Sequence, residues 1–263
     1  MRVSVSFQTV SPSVLAGLVA AILVTWIATA RLMGGMDAGP GTPLGGFGWF
    51  VGSWIVMMAA MMLPSEMRFA LVFAQLSHDG GSLPSGANMQ TWLFLSGYLV
   101  IWTGYGVGAY GIDWLVRASM PHFLAWEEYG PVLAGGVIAA AGVYQLSPLK
   151  QACLRHCVSP VSFFMQRWRS GAWGALRLGM EHGILCVGCC WGLMLILFAL
   201  GVMSLFWMLL LAVVMFAEKV LPWGPHLTRP LAVGLCVLGI WVAAAPTTVP
   251  FLTQPGAQQM HHP

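Results

Sequence analysis

Charged side chains make up only 7% of this 263-residue chain, against about a quarter in an ordinary soluble domain. A water-covered globular surface is not built from so few, whereas a lipid-facing surface needs almost none. Eleven Lys and Arg against eight Asp and Glu leave a net charge of +3 with no basic run, so nothing points to a nucleic-acid partner. There is no phosphate-binding glycine loop, which argues against ATP-driven work within the chain. Six cysteines form no secreted-type framework, so reduced thiols are expected. No small-residue cleavage site follows the first apolar run, which is read as a retained helix.

What the chain has instead is apolar length: 58% of its residues are hydrophobic. Seven stretches, near 13–31, 47–70, 90–116, 130–149, 178–200, 203–221 and 229–246, suffice to cross a hydrocarbon layer of about 30 Å at 1.5 Å per residue. The connections are short and rich in Gly and Pro, as at 39–43 and 80–84, leaving no room for a soluble second domain. The expected fold is an all-α polytopic membrane bundle of about seven transmembrane helices, one domain over 1–263. A cytoplasmic N-terminus places Arg2, Arg68, Lys150, Arg155, Arg167, Arg169, Arg177, Lys219 and Arg229 inside and only Arg31 and Arg117 outside, as retention of positive charge requires. The tail, 247–263 with His261 and His262, then lies on the non-cytoplasmic side.

Within this apolar chain the fifth span carries Gly183-Ile-Leu-Cys-Val-Gly-Cys-Cys-Trp-Gly-Leu-Met194, preceded by Glu181 and His182. At about 100° per residue, His182, Cys186, Cys189 and Cys190 share one helical face. One buried cysteine is ordinary filler; three within five positions, beside ionisable groups that are costly in a membrane, mark a soft-metal or redox site.

The second span pairs Met57 with Met61 and Met58 with Met62, one turn apart, ahead of Pro64 and Glu66. Methionine is an adaptable core filler, and a packed kink at Pro64 would account for part of this pattern. Counted from the cytoplasmic edge, however, these thioethers and the thiols of the fifth span lie at overlapping depths, with Glu66, Glu181, His182 and Glu218 nearer the mouth. Between the fourth and fifth spans a basic cytoplasmic segment adds Cys153 and Cys157, an i, i+4 pair able to share one soft ion or to stand as two free surface thiols.

Three motifs resemble a bacterial family of metal-binding integral membrane proteins, the domain-of-unknown-function 2182 family. They are Trp54-x-x-Met-x-x-Ala-Met-Met-x-Pro-Ser65, Tyr144-Gln-x-x-Pro-Leu-Lys-x-x-Cys-Leu-x-x-Cys157 with Ser159-Pro160, and Gly183-x-x-Cys-Val-Gly-Cys-Cys-Trp-x-Leu-Met194 followed by Glu218-Lys219. The resemblance implies a multi-pass protein of the bacterial inner membrane that binds metal, and it names no substrate.

Thiolate and thioether donors select Cu(I), while imidazole and carboxylate at the mouth admit Zn(II). The reading is therefore a membrane protein that binds Cu(I) for transfer, storage or transport between the second, fifth and sixth spans. Cys153 and Cys157 would receive the ion. Glu66, Glu181, His182 and Glu218 would line a vestibule, and Cys186, Cys189 and Cys190 with Met57, Met61 and Met62 would form the inner site. Beyond the lipid bilayer, another membrane subunit or a metallochaperone is the expected partner. One alternative is an accessory or assembly subunit of a membrane metalloenzyme complex. A second is a membrane thiol oxidoreductase, for which no quinone, haem or nucleotide motif speaks. No motif names a catalytic group.

Overall fold

The structure, a computed structural model, describes residues 12–34, 39–40, 44–79, 84–119 and 129–252. Arg2 and most of the expected non-cytoplasmic tail, with His261 and His262, lie outside these residues. Among the described residues the chain forms α-helices and short 3-10 turns and no strand: α1 (Pro12–Met33), α2 (Phe47–Asp79), α3 (Pro84–Ser119), α4 (Gly130–Tyr144), α5 (Pro148–Val158), α6 (Pro160–Arg167), α7 (Gly171–Leu200), α8 (Leu205–Val220) and α9 (Thr228–Ala244).

All seven expected apolar stretches fall on helices. Among the described residues four segments are long and apolar enough to cross a membrane: Pro12–Met33, Phe47–His78, Gly171–Leu200 and Gly224–Ala244. A fifth arises if α4 and α5, bent by 67° at their junction, are one broken span. The difference from seven has two sources among the helices. α8 is only 16 residues long, and α3, at 36 residues, is diluted by glycines and polar groups.

The basic segment expected on the cytoplasmic side between the fourth and fifth spans folds into two short helices. Ser147 caps α5 by accepting from the Lys150 N–H at 3.1 Å, and Pro148 supplies the preset backbone of its first turn. Pro160 starts α6 in the same way and ends α5, because its ring leaves no amide to continue the ladder. Lys150, Leu154 and Cys157 then form an i, i+4, i+7 stripe that α5 buries against α7 and α8. A segment this amphipathic gains more from burying that stripe than from lying free.

α7 is the central element, packed on α3, α4 and α5, while α2 packs on α1, α3 and α8. Small residues set the closest contact. A Cβ added at Gly179 of α7 would stand 1.9 Å from the Phe94 carbonyl oxygen of α3, so only glycine allows this approach. α7 ends at Gly201, whose φ of 115° favours glycine and whose N–H closes on the Leu197 carbonyl at 2.9 Å. The core has two parts. One holds the cysteines together with Met57, Met58, Met61 and Met62; the other is aromatic, built on Phe69, Phe73, Phe94, Phe163 and Phe164.

Candidate metal centre

The helical spacing of the thiols produces the expected convergence. Cys186, Cys189 and Cys190 are buried, and their sulfurs all lie within 4.8 Å of one another. The Cys189 and Cys190 sulfurs stand 3.3 Å apart, and the Cys189 thiol also turns back to the Cys186 carbonyl at 3.2 Å. Polar side chains touch the group at Cys186, described below. Such a group of soft donors in a dry setting suits a thiophilic ion, with metal–sulfur bonds of roughly 2.3 Å.

α5 extends the group. Its buried Cys157 sulfur lies 3.7 Å from that of Cys189. One turn earlier, Cys153 is half-buried and sits over Gly188 of α7, where an added Cβ would come within 2.7 Å of its sulfur. The thiols thus make a ladder: a partly exposed rung at Cys153 stands one helical turn from Cys157, which meets Cys189 beside Cys186 and Cys190.

One side of the cluster is charged. Lys219, near the end of α8, is buried and places its ammonium 2.9 Å from the Cys186 sulfur, 3.1 Å from Glu66 Oε1 and 3.4 Å from Ser65 Oγ. Glu66 reaches α7 as well, its Oε2 standing 2.6 Å from His182 Nε2. The Tyr98 hydroxyl of α3 approaches the Cys186 sulfur from another direction, at 3.0 Å. A buried ammonium is tolerated because a carboxylate and a sulfur share it. The neighbouring Glu218 points elsewhere: both its oxygens accept from the buried Lys150 Nζ, at 2.8 and 2.9 Å, and Gln145 caps the same ammonium.

The expected site residues therefore fall into distinct groups. Cys186, Cys189, Cys190 and Cys157 converge, with Cys153 as the outer rung. Met57, Met61 and Met62 are buried in the same core cluster as the thiols. Glu66 and His182 pair beside Cys186, and Glu218 pairs with Lys150. Glu181 faces outward, where its carboxylate lies 3.4–3.5 Å from Arg167, Arg169 and Arg177. His182 stacks on Phe69, with ring centroids 4.0 Å apart, and its buried Nδ1 has no hydrogen-bond partner among the described residues. As an imidazole donor it has only that nitrogen free.

Residues 51–242 match the PpoB2 family, described as copper chaperones. The chain belongs to this copper-chaperone family. Neither the curated proteins nor the solved structures contain a match to it. The stretch shared with the PpoB2 family runs from α2 into α9, so it includes all six cysteines, the methionine pairs and both buried lysines. For a member of a copper-chaperone family, a buried group of cysteine sulfurs is a donor set that fits the cargo. Lys150, Lys219 and Tyr98 were not legible as site residues. The two lysines counted as cytoplasmic surface charges, and only the rarity of Lys within apolar sequence hinted otherwise.

Proposed function

We propose that this protein is a membrane-embedded Cu(I) carrier that loads the ion at Cys153 and Cys157, holds it at Cys186, Cys189 and Cys190, and passes it to an acceptor protein. The observation that carries this reading is the ladder of sulfurs, with Cys157 and Cys189 only 3.7 Å apart on different helices. Cu(I) moves between thiolates by associative exchange: an incoming sulfur binds before the outgoing one leaves, so the ion is never free. Rungs this close permit that exchange without a large movement of backbone. Cys153 is the rung an external donor can reach, and the inner three shield the ion from water and from oxidation. Met57, Met61 and Met62 supply thioether donors at the inner level, weaker than thiolates and suited to a second, labile contact.

The apolar lengths of α1, α2, α7 and α9 support a location in the bacterial inner membrane, with the α5–α6 segment on the cytoplasmic side. Copper then enters from a reducing compartment, where Cu(I) and free thiols coexist. The test is anaerobic titration of the purified protein with Cu(I) against a chelator of known affinity. Wild type is expected to bind copper tightly, and a variant with Cys186, Cys189 and Cys190 all changed to Ser to bind at least 100-fold more weakly. Equal binding by the two proteins would place the copper elsewhere.

A further inference from the structure

Among the described residues eight methionines are buried, and all eight belong to the core that holds the cysteines; the aromatic core includes no buried methionine. A mere filler would serve both cores. α8 makes the same division across its own section, turning Met208 and Met215 inward while Leu209, Leu210 and Val213 stay exposed.

Contacts between helices fix the heights of these thioethers. α2 runs antiparallel to α7, with Glu66 beside His182 toward one end and Trp54 against Phe198, ring centroids 5.6 Å apart, toward the other. Between those two contacts Met62 falls level with Cys190, and Met58 with Met194. Lys219 touches both Cys186 and Glu66, which sets α8 in the same register and brings Met215 level with Cys190 and Met208 level with Leu197. Measured from Cys186 away from the aromatic core, at 1.5 Å per residue, Met62 and Met215 stand at about 6 Å, Met58 and Met194 at about 12 Å and Met208 at about 16 Å. Met33, the last residue of α1, belongs to the same far end of the bundle.

We propose that this column of thioethers is an outlet: Cu(I) passes from Cys190 to Met62 and Met215, then to Met58 and Met194, then to Met208, and leaves at the end of the bundle opposite α6, so that the protein moves copper through the membrane. This rests on the Cu(I) carrier reading of the cysteine cluster and adds a direction to it. The buried soft donors continue from the cluster on one side only, because the aromatic core closes the other. Each step exchanges one Cu(I)–sulfur bond for another, the incoming thioether binding before the outgoing sulfur leaves, and no electron is transferred. Thioethers are neutral, so the departing ion leaves thiolate charge behind, and the next Cu(I) arriving through Cys157 balances it. Weak donors suit such a passage, since an ion on a conducting path has to leave as readily as it enters. At the far end Met203, in the turn between α7 and α8, lines a cavity of about 590 Å³ shared with α3 and α4, where an acceptor on that side takes the ion.

The experiment uses the full-length protein reconstituted anaerobically in vesicles of phosphatidylethanolamine and phosphatidylglycerol. Cu(I) is supplied outside as its glutathione complex, a membrane-impermeant Cu(I) chelator is trapped inside, and protein-free vesicles give the leak. Wild type is compared with the pair Met194→Leu and Met208→Leu, which keeps the apolar volume, and with the pair Met89→Leu and Met165→Leu, two exposed methionines off the column. The expected result is transfer at least tenfold slower in the Met194 and Met208 variant, with equilibrium Cu(I) affinity within threefold of wild type, and no change in the Met89 and Met165 variant. Where the first pair does not fold, Met194→Leu and Met58→Leu as single changes carry the same expectation. Transfer at the wild-type rate in the folded variants overturns the outlet, and so does a loss of affinity equal to the loss of rate, which makes these thioethers holding ligands. Wild type that binds Cu(I) tightly but fills the trapped chelator no faster than the leak overturns the outlet and leaves the carrier reading standing. Wild type that binds no Cu(I) overturns both.

Discussion

The Cys157 and Cys189 sulfurs belong to helices separated by 32 positions in sequence and stand 3.7 Å apart. That contact joins the buried Cys157, one turn from the half-buried Cys153, to the three buried thiols of α7. It predicts an ordered reactivity: a small maleimide should modify Cys153 quickly in the folded protein and leave Cys157, Cys186, Cys189 and Cys190 unmodified until denaturation. Mass spectrometry after a short pulse reads this directly. Rapid labelling of Cys190 would mean that the inner cluster opens to water.

If the ladder is the loading path, Cys157→Ser should slow Cu(I) uptake from a thiol donor about tenfold or more while leaving the inner site able to bind at equilibrium. Stopped-flow transfer and equilibrium titration separate the two effects. Equal loss of rate and affinity would make Cys157 a permanent ligand rather than a transfer rung.

The buried ion pair of Lys150 and Glu218 gives a stability prediction. Glu218→Gln leaves an ammonium without its counter-charge and should cost about 3–5 kcal/mol, whereas Lys150→Met with Glu218→Leu removes both charges and should recover most of that loss. Thermal unfolding in one detergent compares the variants. A double variant as unstable as the single one would show that the hydrogen bond from Lys150 to Gln145, not the pair's charge, is what this place needs.

These charge pairs also show where sequence reasoning stops. The face shared by Cys186, Cys189 and Cys190 follows from helical period alone and was legible. Cys153 and Cys157 were legible as a pair, but their contact with α7 depends on α5 folding back, which no local signal specifies. Lys150 and Lys219 looked like cytoplasmic anchors because a lysine's burial depends on a distant acid, here Glu218 and Glu66. Glu181 and His182 were grouped as one vestibule although adjacent helical positions diverge by about 100°, which sends His182 inward to Glu66 and Glu181 outward to three arginines. The helices themselves were legible from apolar length. Which of them are long and apolar enough to span depended on the break before Pro148, on the polar and glycine content of α3 and on the short α8.

Orientation is tested through the exposed Met165 of α6 and the C-terminal Phe251. Single cysteines at these two positions, in an otherwise cysteine-free background, should be labelled from opposite sides of the membrane, with position 165 cytoplasmic. Labelling of both from the same side would contradict the arrangement inferred from positive charge.

The central claim is that the ion sits among cysteine sulfurs and not at the Glu66–His182 pair. X-ray absorption at the copper edge of the anaerobically loaded protein tests it most directly. The account predicts a Cu(I) edge and a first shell of two or three sulfurs at about 2.2–2.3 Å with no nitrogen or oxygen neighbour. A shell dominated by nitrogen and oxygen, or one unchanged when Cys186, Cys189 and Cys190 are replaced by Ser, would contradict it.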